Sequence, residues 1–257
     1  SQEDLKMTTY EPDPEAEAVV LCDYGRVSVD QTPTGWEQWV RVHRRIKILK
    51  ESGTRFADVE IPFYSYERNE ALAYVAAQVI QPDSTIEQLD FEDAAQQTAA
   101  ADGKLFKFSL PNVQVGSVIE YSFKTVNWSV ALLRDWAFQD EIPIRHSELR
   151  TLYPSRLGYS YIFQGVGNME TTFESDTLTI MKGDVGTFHM YKKKFIMENA
   201  KAMKQEAFVT TMSDYMAKIR FQLSEFIDYR EKQERLVMIG NNWHRNSKKP
   251  LISVSNI

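Results

Sequence analysis

LPNVQVGSVIEYSFKTVNWSVALLRDWAFQDEIPIRHSE, residues Leu110–Glu148, is the stretch on which the fold of this chain turns. Within it Val118–Asn127 alternates, with Ile119, Tyr121 and Phe123 on one side and Val118, Glu120, Ser122 and Lys124 on the other. A period of two sends alternate side chains to opposite faces of a sheet. The large apolar side predicts a core-facing surface. Glu120 and Lys124 predict a partly wet one, an arrangement open to antiparallel sheets. Gly116-Ser117 supplies a turn or bulge before the strand, since glycine takes φ > 0 without steric cost. Pro111 ends a preceding strand, Lys104–Leu110, because proline donates nothing to a ladder. Downstream, Trp136 and Phe138 stand two residues apart and predict a shared anchor to the core. Gln139 is placed to satisfy a buried backbone group, and Pro143 opens the next strand.

Outward from this stretch the same period recurs. Trp36–Lys50 puts Val40, Val42, Ile46 and Ile48 on one face and Arg41, His43, Arg45 and Lys47 on the other. Glu51-Ser52-Gly53 reads as a turn into a return strand, Phe56–Ile61, which Pro62 stops. Ala18–Cys22 is a short buried strand, and Asp23-Tyr24-Gly25 reads as a hairpin turn into Arg26–Asp30. Leu72–Ile80, Arg145–Tyr153, Tyr159–Phe163, Asp176–Met181, Thr187–Met197 and Tyr215–Phe226 complete the strands. Residues 84–103 read as a short strand and an exposed loop. Asp228–Trp243 has helical composition. The expectation is an all-β, mainly antiparallel protein, a β-sandwich or paired β-sheets with few short helices. Its parts are an extended lead-in over 1–14, a β domain over 15–226 (one unit, or two subdomains with no visible boundary), and a helical or irregular tail over 227–257.

Composition bounds the function. The 257 residues are 43% hydrophobic and 26% charged, ordinary for a chain that buries a core. A net charge of −6 without a long basic run points away from nucleic acid. No apolar run reaches the length of a membrane-spanning helix. One cysteine, Cys22, allows neither an internal disulfide nor a cysteine-based zinc site. The start, SQEDLKMTTYEPDPEAEA, is acidic and polar and reads as the beginning of a mature or trimmed chain.

No chemical motif stands out. Cys22 ends an apolar strand beside Asp23, a carboxylate that disfavours a thiolate, so it reads as a buried structural thiol. His43, His146, His189 and His244 form no ligand motif. His146 and Glu148 share a strand face, but no third ligand is implied. There is no nucleophile elbow, P-loop or dinucleotide fingerprint. No carboxylate pair suggests an acid–base couple of the glycosidase kind. Catalytic, cofactor and metal residues are therefore assigned to none. The basic face of Trp36–Lys50, with Arg44 beside it, reads as a solvated sheet face. Lys192-Lys193-Lys194 alternates sides. Trp36 and Trp39 fall on opposite faces of their strand, so one of them is free to be a sugar or protein contact. These two are the candidate ligand-binding residues.

Three motifs taken in order resemble a known family. RRIKILKESG at Arg44–Gly53, FSLPNVQVGSVIEYSF at Phe108–Phe123 and DWAFQDEIPIRHSE at Asp135–Glu148 look like signatures of the DUF3857 domain, and the resemblance runs from Tyr10 to the strand of Ile219. It implies a β-rich, non-enzymatic module that precedes a transglutaminase-like domain in exported proteins, especially of the Bacteroidetes. It also implies an architecture similar to the N-terminal β domain of zinc aminopeptidases, a periplasmic or cell-surface location and no cofactor. The partner it implies is a transglutaminase-like domain, another exported protein or a surface glycan. Gly116, Glu120, Tyr121, Trp136, Phe138, Gln139 and Pro143 then read as fold determinants. The tail after Trp243 does not resemble the start of a transglutaminase-like domain, and Cys22 lies outside any such motif, so no triad carries over. A carbohydrate-binding module and an unrecognised hydrolase are the alternatives.

Overall fold

Strict alternation over long stretches gives long strands. The computed structural model describes residues 2–63, 70–90, 95–100, 103–165, 171–183, 186–203, 215–230, 233–239 and 252–256. In chain order these form a short helix α1 (Gln2–Lys6), β1 (Ala18–Thr32), β2 (Gly35–Ile48), a 3-10 segment (Glu51–Ala57), β3 (Asp58–Phe63), β4 (Glu70–Ile80), β5 (Ile86–Gln88), β6 (Ala95–Ala100), β7 (Gly103–Ser109), β8 (Val118–Asn127), β9 (Trp136–Ala137), β10 (Ile144–Pro154), β11 (Leu157–Gln164), β12 (Thr171–Gly183), β13 (Gly186–Ala200), β14 (Lys218–Arg230), β15 (Gln233–Ile239) and β16 (Ile252–Asn256). The protein is all-β, and every strand pairing among the described residues is antiparallel except that of β1 with β10.

The large sheet has eight strands in the order β12-β13-β10-β1-β2-β8-β4-β5. A second sheet runs β11-β14-β15-β16, with β9 also pairing β14, and a third is β3-β7-β6. The inner face of the large sheet contributes Val27, Val40, Ile119, Phe123, Leu149 and Phe195 to one core. Val59, Ile61, Phe106 and Phe108 reach that core from the third sheet, and Tyr159, Ile219, Phe221 and Leu223 from the second. Phe195 meets the rings of Tyr161, Phe163 and Phe221 at centroid distances of 5.5–6.1 Å. Ile119 and Phe123 are buried and Tyr121 packs against the core, while Glu120, Ser122 and Lys124 are half-buried on the outer face.

Residues 2–16 are more than a lead-in. They lie across one end of the outer face and bury Val19, Leu21 and Val118 under Tyr10 and Ala16. Lys47, fully buried, donates through Nζ to the carbonyl of Leu5 at 2.8 Å and to that of Gly116. Tyr10 Oη donates to Asn199 Oδ1 at 2.9 Å, and Arg145 pairs with Asp4 at 2.8 Å.

Four local expectations are corrected. Asp23-Tyr24-Gly25 is not a turn, because β1 runs unbroken through it and the hairpin closes later, at Thr32↔Gly35. Gly25 is there for space: a Cβ on it would lie 2.4 Å from the Trp136 ring. The segment after Glu51 does not return along β2, because the 3-10 segment carries β3 into the third sheet to pair with β7. Residues 95–100, expected in a loop, are a strand that completes that sheet despite its alanines. The expected helical or irregular tail contains β15 and β16. β15 pairs with β14 from Glu225↔Met238 to Arg230↔Gln233, so strand pairing overrides the helical composition. Trp243 and the rest of 240–251 lie outside the described residues, as do 64–69.

Candidate binding face on the large sheet

The register of six adjacent strands arranges the outer face in rows. A bulge between Val20 and Cys22 sets the parity of β1, so Cys22, Tyr24 and Arg26 point outward with Arg45, His43 and Arg41 of β2. Glu120, Ser122 and Lys124 of β8 continue these rows, followed by Gln78, Ala76 and Tyr74 of β4. On the other side, β10 adds Glu148 and Arg150 opposite Tyr24 and Arg26, and β13 adds Ile196 and Lys194. The face is thus wet and charged, with Tyr24 41% and Tyr74 55% exposed among the cations.

Two histidine clusters sit on it. His43 Nε2 lies 3.2 Å from Glu120 Oε1, and half-buried Cys22 is its other partner. Hydrogen bonds from the imidazole to Cys22 and to the Glu120 carboxylate hold His43 up at about 9. The same bond from His43, helped by Gln78 Nε2 at 2.9 Å, holds Glu120 down at about 2. A cleft of about 430 Å³ opens beside them over β4 and β8, lined by His43, Tyr74, Gln78, Gln88, Glu120 and Ser122 among others. In the second cluster, His146 Nδ1 lies 2.6 Å from Glu198 Oε1 and His146 Nε2 lies 3.6 Å from Glu148 Oε2. Arg150 Nε in turn pairs with Glu148, and the Tyr24 ring leans on the imidazole at 5.1 Å. Glu198 thus holds Nδ1 of His146, while its buried Nε2 has Glu148 nearby but makes no hydrogen bond. Among the described residues no group of three or more His, Cys, Asp or Glu side chains is arranged to hold a metal ion.

The opposite, inner face carries its own charges, and these are neutralised. Arg44 pairs with Asp140 through Nη2, and its Nε lies 3.7 Å from Asp23 Oδ2. Burial raises the Asp23 carboxyl above its ordinary value despite Arg44. Burial also works against the Arg44 guanidinium, yet Asp23, Tyr121 and Asp140 together hold it above the usual value. A cleft of about 210 Å³ lies beside this cluster, lined by Asp23, Arg44, Tyr121, Arg134 and Trp136 among others.

The residues singled out in the sequence separate into two groups. Trp136 is buried on Gly25 and donates through Nε1 to Ser147 Oγ at 3.0 Å, and Phe138 is fully buried. Gln139 Oε1 accepts from the backbone of Ala217 at 2.9 Å, and Pro143 precedes β10 with its carbonyl accepting from Val20. Gly116 has φ +90° and packs on Pro82. Tyr121 belongs to the inner charge cluster, and Glu120 alone of this group faces the open rows. Trp36 packs against the core, whereas Trp39 faces outward with Lys124 Nζ 3.8 Å from its ring and its Nε1 bonded to Glu37. The structure does not bring the two tryptophans together. Sequence reasoning missed Cys22, Tyr24 and Arg26 as face residues, because Asp23-Tyr24-Gly25 was read as a turn. It also took Asp23 as the neighbour of Cys22, whereas alternation sends Asp23 to the inner face.

An all-β module with a core between sheets and one open, charged sheet face is the class defined by this architecture. The chain matches the family described as "Domain of Unknown Function with solved-structure structure (DUF3857)" over residues 37–184, and it belongs to that family. No curated protein matches. Among solved structures, the chain is similar to "a putative protease from Parabacteroides distasonis ATCC 8503", with a TM-score of 0.63 at 13% identity, over 80% of this chain and 40% of that one. That likeness is one of fold. A second solved structure, an "M1 zinc metallopeptidase from Deinococcus radiodurans", aligns with a TM-score of 0.35 at 8% identity over 76% of this chain and 45% of that one, too weakly to argue from. The chain spans less than half the length of either protein.

Proposed function

We propose that this chain is a non-catalytic β module that binds or positions a partner on the outer face of its large sheet. The observation that carries the reading is the contrast between the two faces. Arg44 on the inner face is matched by Asp23 and Asp140, while the outer face leaves Arg26 and Arg41 exposed to solvent beside Tyr24 and Tyr74. A surface that keeps cations and aromatic rings in water, in fixed positions on a rigid sheet, is suited to recognition. The module works beside a larger catalytic assembly: the Parabacteroides distasonis protein that shares its fold is about twice as long and carries the name "putative protease". The three family motifs support export, to the periplasm or the cell surface, and a transglutaminase-like domain as the neighbour in the full protein.

The test has two arms. Labelled chain should sediment with isolated cell-envelope material, and Arg26→Glu/Arg41→Glu should release it. Turnover of peptide, ester or glycoside substrates that copurifies with the chain and disappears in His43→Gln would overturn the non-catalytic reading.

A further inference from the structure

Lys194, Arg150, Arg26, Arg41 and Lys124 lie in register on five consecutive strands, β13, β10, β1, β2 and β8. We propose that this row binds a single acidic polysaccharide chain laid across the strands. The inference rests on the binding-module reading and names its partner. With neighbouring strands about 4.8 Å apart, the row runs for roughly 19 Å. Like charges directly opposite one another on adjacent strands destabilise a sheet. Here four such juxtapositions follow in succession, although any one of these positions would hold a polar neutral residue equally well.

Part of the row is compensated from within: Arg150 pairs with Glu148, Lys194 has a contact of its own, and Lys124 lies over Trp39. Arg26 and Arg41, at its centre, are exposed, and neither makes an ion pair among the described residues. Acidic groups flank the row on both sides. Asp30 and Glu37, themselves register partners, stand toward the hairpin, and Asp30 feels the charge of Arg26 and Lys124. Glu148, Glu120 and Glu198 stand toward the other end. In the rows directly beside it, among the described residues, only His43 and Lys192 add cations, so the cationic strip is narrow.

That width selects the partner. The two backbones of a nucleic-acid duplex would set one row of phosphates against the acidic flanks. A peptide that adds to a sheet needs an edge strand, and this row crosses the middle of a face. A single polymer with carboxylate or sulfate groups fits the strip, because planar guanidinium groups pair with such oxyanions in two-pronged fashion. Tyr24 and Tyr74, exposed beside the row, offer flat rings to the apolar faces of sugar units.

The test measures binding of polygalacturonate to the full chain by titration calorimetry at low salt. Neutral dextran, polyglutamate and single-stranded oligo-dT serve as comparison ligands. Arg26→Glu/Arg41→Glu should weaken polygalacturonate by about tenfold or more. Lys6→Glu/Lys201→Glu, the same charge change on exposed side chains elsewhere, should change it by less than about twofold. If the double glutamate variant misfolds by circular dichroism, Arg26→Thr/Arg41→Thr removes the charge with residues suited to a strand and should show the same order. Equal losses in the two charge-reversal variants would overturn the proposal, as would polyglutamate or oligo-dT bound as tightly as polygalacturonate. A wild-type chain that ignores polygalacturonate but still sediments with envelope material would sink this inference and leave the module reading standing.

Discussion

The ring of Trp136 lies so close over Gly25 that the two positions should be energetically one site. A Cβ built on Gly25 would stand 2.4, 2.7 and 2.8 Å from three carbons of the indole. Carbon atoms prefer separations of about 3.5–4.0 Å, so the overlap is near 1 Å and the ring must move. Gly25 does not need its backbone freedom, because positive φ among the described glycines is confined to Gly35, Gly116 and Gly165. In the native protein Gly25→Ala is therefore an overpacking change, with an expected cost of about 1–3 kcal/mol. Trp136→Ala removes a ring that is 7% exposed and the donor to Ser147 Oγ, with an expected cost of about 3–5 kcal/mol. With the ring gone, an alanine at 25 meets open space and gains about 0.4–1 kcal/mol by restricting the unfolded chain. The double-mutant cycle should thus give a coupling of roughly 2–3 kcal/mol, with Gly25→Ala destabilising in one background and mildly stabilising in the other. Urea unfolding followed by far-ultraviolet circular dichroism measures this without relying on tryptophan fluorescence. The same cost for Gly25→Ala in both backgrounds would mean that the ring does not rest on Gly25. A loss below about 1 kcal/mol for Trp136→Ala would place it at the surface.

Three further outcomes follow from named contacts. Arg44→Met leaves Asp23 buried without its counter-charge and should cost about 3–5 kcal/mol at neutral pH. Because burial already raises the Asp23 carboxyl, that loss should shrink as the pH falls and the carboxyl takes up its proton, which unfolding curves at several pH values will show. The His43–Glu120 pair is partly exposed and should contribute about 1 kcal/mol or less. His43 is raised from 6.5 to about 9, so its share is complete below 6.5 and lost as the pH climbs toward 9. Glu120 is lowered from 4.5 to about 2, so its share is complete above 4.5 and lost as the pH falls toward 2. The stability difference between wild type and His43→Gln should accordingly peak between these two limits and vanish in strong base, and a flat difference would refute the pairing. Lys47→Met removes the donor to the carbonyls of Leu5 and Gly116, and faster amide exchange across residues 2–10 should report a loosened N-terminal segment.

What was legible in the sequence follows from how local each signal is. The strand Val118–Asn127 is read with its faces, because five alternating pairs of side chains announce it and nothing competes. The Trp136-Phe138 anchor is also visible, since a buried aromatic pair needs only neighbouring residues to identify it. Asp23-Tyr24-Gly25 misled because Asp and Gly are turn residues by local chemistry, whereas the reason for Gly25 is Trp136, far along the chain. Asp228–Trp243 misled in the same way. Its Glu, Arg and Leu favour a helix in isolation, and only the partner strand β14 makes β15 a strand.

The candidate face shows a stronger form of the same limit. Its row takes one residue from each of five strands, and no two of these residues share a local motif. Pairing alone places Arg26 beside Arg41 and Arg150. A slip of one residue in β1 would turn Arg26 into the core and Gly25 out to solvent. The burial of Gly25 under Trp136 resists that slip, and the bulge after Val20 absorbs the extra residue that would otherwise force it. A fold determinant on the inner face thus holds the cations of the outer face in line. The stretch that decides the fold therefore also decides the face. Its strand supplies Lys124 to the row, and its tryptophan locks the strand that supplies Arg26.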